Sequence, residues 1–378
     1  MPIKRYIEMI KRMDWVLFGA MVILAVGSVF FVYSASYSAS IATTAHHARL
    51  PNYQMQMVWF GVGLLIYLAV ALVDYRLICQ WATVWYVIAL GLLLLVLVVG
   101  VTHYGARRWL GFGHGGFGIQ PAEIAKLATL VAISYYLFHR TLEARRQLST
   151  VWVALVVTGA PLVLIMLEPD LGSALVLLPI CFGLLFVAGA RVKHLLLVIA
   201  LGLLLSPFAW LHLKEYQRDR LTVFLDPNKD PLNVGWNLNQ SLISVGSGGW
   251  SGKGYLQGTQ NLLGYLPSTV APNDFLFAVI AEEKGFVGSL GVVGLYAVIL
   301  FSGLRIAANA RDRLGMLLAT GVVVMLFFHI FINVGMTIGL MPVTGLPLPL
   351  LSYGGSFVLA SMTALGLLQN VWIHRRVY

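Results

Sequence analysis

Long apolar stretches alternate along the chain with short polar segments. Runs long enough to cross a hydrocarbon core about 30 Å thick fall at Trp15–Ser34, Gln56–Val73, Trp81–Val101, Ala122–Phe138, Val151–Leu167, Ala174–Ala190, His194–Leu211, Phe275–Leu304, Leu314–Met336 and Leu350–Trp372. They predict about ten transmembrane helices in an all-α, polytopic integral membrane protein, with residues 1–378 forming a single membrane domain. The first run follows Lys4, Arg5, Lys11 and Arg12 and ends at Ser34-Ala35-Ser36, the outline of a signal peptide. It is longer than a signal's apolar region of about 7–15 residues, so an uncleaved first span is expected.

Composition supports this reading and narrows the alternatives. Of 378 residues, 59% are hydrophobic and 11% charged. A soluble domain carries about 25% charge, so soluble, disordered and coiled-coil classes are all excluded. The net charge of +10 comes from basic residues in ones, twos and threes, with no interleaved basic and aromatic patch, so no nucleic-acid partner is implied. Instead the charges report topology. Fifteen of the 25 Lys and Arg lie in the N-terminus, the C-terminus and the loops near residues 76, 140–146, 191–193 and 305–313. The positive-inside rule then places both termini in the cytoplasm. Cys79 and Cys181 sit far apart, in or beside apolar runs, and imply no disulfide framework.

Three segments on the opposite, outer side break the pattern. The segment of about sixty residues from His212 to Asn273, between the seventh and eighth spans, is rich in Gly, Asn, Pro and charge. It cannot bury a core of its own, and a long unstructured loop in a compact protein tends to be functional. Thr102–Pro121 holds Arg107-Arg108-Trp109 and six glycines, and Thr337–Leu351 is rich in Pro and Gly. Both are expected to be re-entrant or broken helix packed within protein. No internal repeat of the kind many transporters carry is evident.

Charged residues at the edge of a bilayer are costly enough to be candidates for function. Glu123 and Lys126 open the fourth span, Glu168 and Asp170 end the fifth, and Asp274, Glu282, Glu283 and Lys284 open the eighth, all on the outer side. Glu123 and Lys126 are three residues apart and share a helix face, so they can simply pair, while Lys126 is also able to reach an anionic ligand or Asp170. Asp170 reads as a helix cap or a counter-ion. Asp274 reads as an N-cap, or as a general base facing water by placement more than by a raised pKa. The run after it would make about 45 Å of helix, which predicts Glu282 and Glu283 at the membrane interface. Arg49, Arg107, Arg108, Arg218 and Arg220 are suited to gripping diphosphate with paired hydrogen bonds. The glycine-rich Gly246–Gly254 segment misses the spacing of a nucleotide loop, and no His or Cys spacing suits a metal. From the residues alone, the chain carries an anionic-substrate site at its outer face, with the reaction open.

Several blocks carry a more specific resemblance. Gln120-Pro-Ala-Glu-Ile-Ala-Lys126, Glu168-Pro-Asp-Leu-Gly-Ser-Ala174, Gln217-Arg-Asp-Arg-Leu221, Gly246-Ser-Gly-Gly249, Asn273-Asp-Phe-Leu-Phe-Ala-Val-Ile-Ala-Glu-Glu283 and Pro347-Leu-Pro-Leu-Leu-Ser-Tyr-Gly-Gly-Ser356 occur in one order over nearly the whole chain. The chain resembles the SEDS family of FtsW, RodA and SpoVE, and most of all RodA, the elongation member. The resemblance implies a peptidoglycan glycosyltransferase in the bacterial cytoplasmic (inner) membrane, polymerising lipid II at its outer face with inversion at the donor carbon. It also implies a class B penicillin-binding protein and the elongation machinery as partners. Asp274 matches the family's catalytic aspartate, and Glu123, Lys126 and Asp170 match polar residues of its central cavity. No cofactor is required by the sequence, although a divalent cation is compatible with it. The chain departs from the family pattern before Asp274, where Pro267-Ser268 stands in place of Pro-Glu, and at Phe357, where a small residue is usual. Two other classes fit a polytopic bundle with charges: a flippase that moves lipid II across the membrane, and a non-catalytic scaffold for a transpeptidase.

Overall fold

The computed structural model describes residues 2–42, 51–103, 106–111, 118–213, 215–226, 229–230, 233–267 and 269–375. A short helix, α1 (Pro2–Lys11), leads into α2 (Trp15–Ala42) and α3 (Asn52–Leu72); α4 (Tyr75–Gln80) turns the chain into α5 (Ala82–Val99). Three short strands follow, β1 (Val101–His103), β2 (Ala106–Gly111) and β3 (Gly118–Ile119), and then α6 (Pro121–Phe138). Next come α7 (Leu142–Arg145), α8 (Leu148–Leu167), α9 (Leu171–Ala188) and α10 (Val192–His212). The long polar segment carries α11 (Glu215–Leu225), α12 (Val234–Ser247) and α13 (Thr259–Leu262). The chain closes with α14 (Leu276–Ala308), α15 (Arg313–Thr337) and α16 (Gly355–Ile373).

A long helix occupies each of the ten apolar intervals. Among the described residues, eight helices are long and apolar enough to cross a membrane; α10 has a shorter apolar stretch, and α6 carries the charges of Glu123 and Lys126. With lipid as solvent, the outer helices expose Phe, Leu and Val along their length, such as Leu65, Val98, Val156 and Leu204, while α15 and α16 are enclosed by the others. Close backbone approach holds the centre together. A Cβ at Gly366 of α16 would lie 3.0 Å from the carbonyl oxygen of Tyr67 on α3, so only glycine lets the two helices come this near.

Three expectations about the irregular segments are corrected. Residues 101–103, 106–111 and 118–119 form a small antiparallel sheet in the order β1-β2-β3, where broken helix was expected. Strand pairing gives the described residues of this stretch backbone partners across the strands. The segment between α10 and α14 is not structureless: α12 packs against α14 and α15, α13 against α2, and α11 against α12. The run after Asp274 is not one continuous helix, because Gly285 adopts φ 66° and ψ −162° and divides α14.

That division explains Glu282 and Glu283, which are fully buried within the protein where exposed carboxylates were expected. A helix interrupted at Gly285 leaves carbonyls and amides without intrahelical partners. The glycine-rich 248–254 turn inserts there and supplies them. Lys253 N and Gly254 N donate to the Glu282 and Glu283 carbonyls at 2.9 and 3.0 Å, and Phe286 N and Val287 N donate to the Gly249 and Trp250 carbonyls at 2.8 and 3.1 Å. The Glu282 carboxylate accepts from Lys253 Nζ at 2.7 Å and from Thr259 Oγ1 and Gln260 N, each at 3.1 Å. Glu283 accepts from the Ser34 hydroxyl of α2.

Candidate active site

At the end of the bundle that bears α11 to α13, the starts of α6, α9, α14 and α16 meet the last turns of α8 and α15. Alternation along β2 separates two adjacent arginines: successive strand side chains face opposite ways, so Arg107 is exposed and Arg108 turns inward. Arg108 donates from Nε to the Glu168 carbonyl at 3.4 Å and from Nη2 to the Pro169 carbonyl, and its Nη1 stands 3.9 Å from Asp170 Oδ1. Asp170 is the N-cap of α9, accepting from Ser173 N at 3.1 Å, and its other oxygen accepts from Gln120 Nε2 at 3.0 Å. Both sequence readings of Asp170, cap and counter-ion, therefore hold, with Arg108 as the counter-charge.

Lys126 takes the pairing with Glu123 that the i, i+3 spacing offered and turns to α15 where Asp170 was the alternative. Its ammonium is wholly buried and donates to Glu123 Oε1 at 2.9 Å and to His329 Nε2 of α15 at 2.9 Å, with the Phe357 ring 5.8 Å away. An ammonium can only donate, so His329 Nε2 accepts. A void the size of about one water adjoins this group between Glu123, His329, Phe357 and Ser361.

Asp274 sits just before α14. It does not cap that helix; Phe275 occupies the cap position and no side chain bonds there. Among the described residues its backbone carbonyl accepts from Asn333 Nδ2 at 2.9 Å, and the same amide donates to the Leu346 carbonyl at 2.7 Å. Asn333 is fully buried, one helical turn beyond His329 on α15. Arg220 of α11 donates from Nη1 to the Thr344 carbonyl at 2.6 Å. Asn333 and Arg220 together fix the 344–346 turn against Asp274. Burial pushes the Asp274 carboxyl up to about 6; the nearby Asp170 pushes the same way, and the Arg220 and Arg108 guanidiniums oppose both. Asp274 is half-buried, so it keeps some access to solvent as expected from its placement, but its carboxyl is raised further than placement alone suggested.

Glu168 is fully buried and neither carboxyl oxygen has a hydrogen-bond partner. Burial and Asp170 raise it to about 8 against the pull of Arg108. Arg218 donates to the Trp210 and Leu211 carbonyls at 3.1 and 2.7 Å, closing the end of α10. Arg49 lies outside the described residues. An apolar groove of about 560 Å³ runs from Phe277, one turn after Asp274, past Ala281 to Trp250, Phe286 and Leu290 beside the break in α14. Among the described residues no three of His, Cys, Asp and Glu converge to hold a metal ion.

A bundle with an acid flanked by arginines at one end is an arrangement several unrelated chemistries can use, so its relatives decide the matter. The FtsW/RodA/SpoVE family of cell cycle proteins matches residues 14–377. The chain belongs to that family. Among curated FtsW/RodA/SpoVE relatives, the peptidoglycan glycosyltransferase MrdB of Escherichia coli K12 is 36% identical over 342 residues, covering 90% of this chain and 91% of its own. A chain from a peptidoglycan synthase complex, solved in a study of how polymerization and crosslinking are coordinated, superimposes with a TM-score of 0.78 at 33% identity, covering 96% of this chain and 98% of that one. The rod-shape-determining protein RodA of Thermus thermophilus superimposes with a TM-score of 0.68 at 31% identity, covering 97% and 98%.

His329 and Asn333 were not singled out as site residues from sequence. The available signal was slight: a His and an Asn spaced i, i+4 inside an otherwise apolar run, which puts them on one helix face.

Proposed function

We propose that the chain is a peptidoglycan glycosyltransferase that polymerises lipid II at the outer face of the bacterial cytoplasmic membrane, in the service of cell elongation. In this reading all ten long helices cross the bilayer, and both termini are cytoplasmic. The observation that carries it is the Asp274 carboxyl. It is held through its backbone by Asn333, accepts no hydrogen bond from the described residues, and is pushed by burial up to about 6, which suits a group that must take a proton.

One lipid-linked disaccharide lies with its polyprenyl tail in the apolar groove beside α14 and its diphosphate near Arg107 and Arg108. A second presents the 4-hydroxyl of its N-acetylglucosamine to Asp274. As the hydroxyl oxygen attacks the anomeric carbon of N-acetylmuramic acid from the face opposite the diphosphate, Asp274 accepts its proton, the carbon–oxygen bond to the diphosphate breaks, and α becomes β. The leaving diphosphate carries the developing charge, which the guanidinium groups stabilise. Arg220 keeps Asp274 ionised. The Glu123–Lys126–His329 group is structural support under the site. A divalent cation, in this reading, arrives on the substrate's diphosphate. A class B penicillin-binding protein would crosslink the product.

The test is incubation of the purified chain with labelled lipid II. A polymer that a β-1,4 muramidase cleaves to disaccharides supports the reading, and transport of intact lipid II across vesicles without polymer contradicts it.

A further inference from the structure

We propose that the corner where α1 meets α2, beside the ends of α14 and α16, binds the headgroup of an anionic phospholipid in the cytoplasmic leaflet. The proposal rests on the reading above only for the side of the membrane it names.

Asp14 accepts from Val16 N and Leu17 N through Oδ1 at 3.1 and 3.2 Å, which starts α2, and from the Arg305 guanidinium through Oδ2. That bond ties the corner to the last turn of α14. The Arg305 side chain is still 47% exposed, and its guanidinium carbon lies 5.0 Å from the centre of the Trp372 ring near the end of α16. Arg375, two residues past that helix, approaches the same ring to 3.1 Å. Lys11 and Arg12 are exposed just before Asp14. The carboxylates that accompany these four cations are the exposed Glu8 and Asp14, and Asp14 is already bonded to Arg305. Like charges gathered this way repel, and an aromatic face offsets only part of the cost. The corner stays cationic after its internal pairing, so it is complementary to an anion. A phosphodiester offers oxygens that guanidinium groups grip with charge-assisted hydrogen bonds.

The apolar residues beside the charges decide which anion. Ile7 and Ile10 are three apart on α1 and so share a face, and both are exposed, as are Trp15 and Val16 at the start of α2. A free phosphate would leave these side chains in water. A phospholipid brings with it the boundary between headgroups and acyl chains, where an amphipathic helix and tryptophan belong, and basic sites between helices at the cytoplasmic side take anionic headgroups. A zwitterionic headgroup carries its own ammonium, which the guanidinium groups repel.

The purified full chain would be offered equal amounts of phosphatidylglycerol and phosphatidylcholine, and the first lipid retained counted by native mass spectrometry. Arg305→Gln/Arg375→Gln is compared with Arg140→Gln/Arg146→Gln, which removes the same charge from exposed residues of the loop between α6 and α8. The unaltered chain should prefer phosphatidylglycerol, and that preference should fall by about fivefold in the first variant and by less than about twofold in the second, as charges near an anionic headgroup lead one to expect. Because Arg305 also holds Asp14, thermal unfolding is measured alongside. If the double variant does not fold, Arg375→Gln, which leaves that bond in place, should lower the preference by about threefold. A folded variant whose preference falls no further than that of Arg140→Gln/Arg146→Gln overturns the site, as does displacement of the lipid by inorganic phosphate at constant ionic strength. Failure of the unaltered chain to polymerise lipid II would count against the polymerase reading alone, since lipid preference is read without turnover.

Discussion

At the scale of single residues, the Asp274 carboxyl is tuned by opposing neighbours. Burial and Asp170 raise it to about 6 while Arg220 and Arg108 lower it. A base must be deprotonated, so polymerisation is expected to rise with pH through about 6 and level off above. Arg220→Gln removes a charge that favours the carboxylate, so the rising limb should move to higher pH, and a pH–rate profile of the purified variant checks this. The Glu168 carboxyl is also raised, and its shift bears on stability with the opposite pH trend. Its folded pKa of about 8 exceeds its ordinary 4.5, so the folded state holds a proton that the unfolded chain releases. Stability therefore falls as pH rises from about 4.5 to about 8. Glu168→Gln keeps the shape without the charge, and thermal melts from pH 5 to 9 should lose that slope. Asn333→Leu takes the amide donor from the buried Leu346 carbonyl, at roughly 1–3 kcal/mol, and from the part-buried Asp274 carbonyl at less. It should lower the melting temperature and slow polymerisation together.

At the scale of elements, the break in α14 decides how the loop end is built. The 248–254 turn replaces the missing intrahelical partners, and Gly252 makes this possible: a Cβ there would lie 2.2 Å from the Glu283 carbonyl oxygen. Gly252→Ala should withdraw the turn from the break, expose the Glu282 and Glu283 carbonyls, and make the 249–264 segment sensitive to protease under conditions where the unaltered chain resists it. At the other end, Asp312 caps α15 through Gly315 N at 2.8 Å and accepts from the Tyr75 hydroxyl at 2.9 Å and Arg76 Nε at 3.0 Å, joining α4 to α15. The long helices were legible in sequence because lipid as solvent makes an apolar run nearly sufficient evidence for one. The sheet at 101–119 was not, because its few glycine-separated residues show no strand period. Nor was the burial of Glu282 and Glu283, since a carboxylate near a helix start looks interfacial until the distant turn that covers it is placed.

At the scale of the whole molecule, residues widely spaced in sequence converge at one end of the bundle. Asp274, Arg220, Asp170 and Arg108 act on one another's charge. This convergence was expected from charge placement alone, because costly groups at span ends on one side had to serve something. Not every partner of those groups was legible: Lys126 meets Glu123 as its spacing allowed, but also His329, 203 positions away, where sequence offered Asp170 or a ligand. The enclosed helices α15 and α16 underlie this end, and α15 bears both His329 and Asn333. The central claim is that this end deprotonates a sugar hydroxyl through Asp274. Its most direct test is lipid II polymerisation by purified Asp274→Asn, which preserves volume and the backbone bond to Asn333 but cannot accept the proton as a carboxylate does. The account predicts unchanged melting and no glycan product, whereas polymer made at more than about one tenth of the unaltered rate would contradict it.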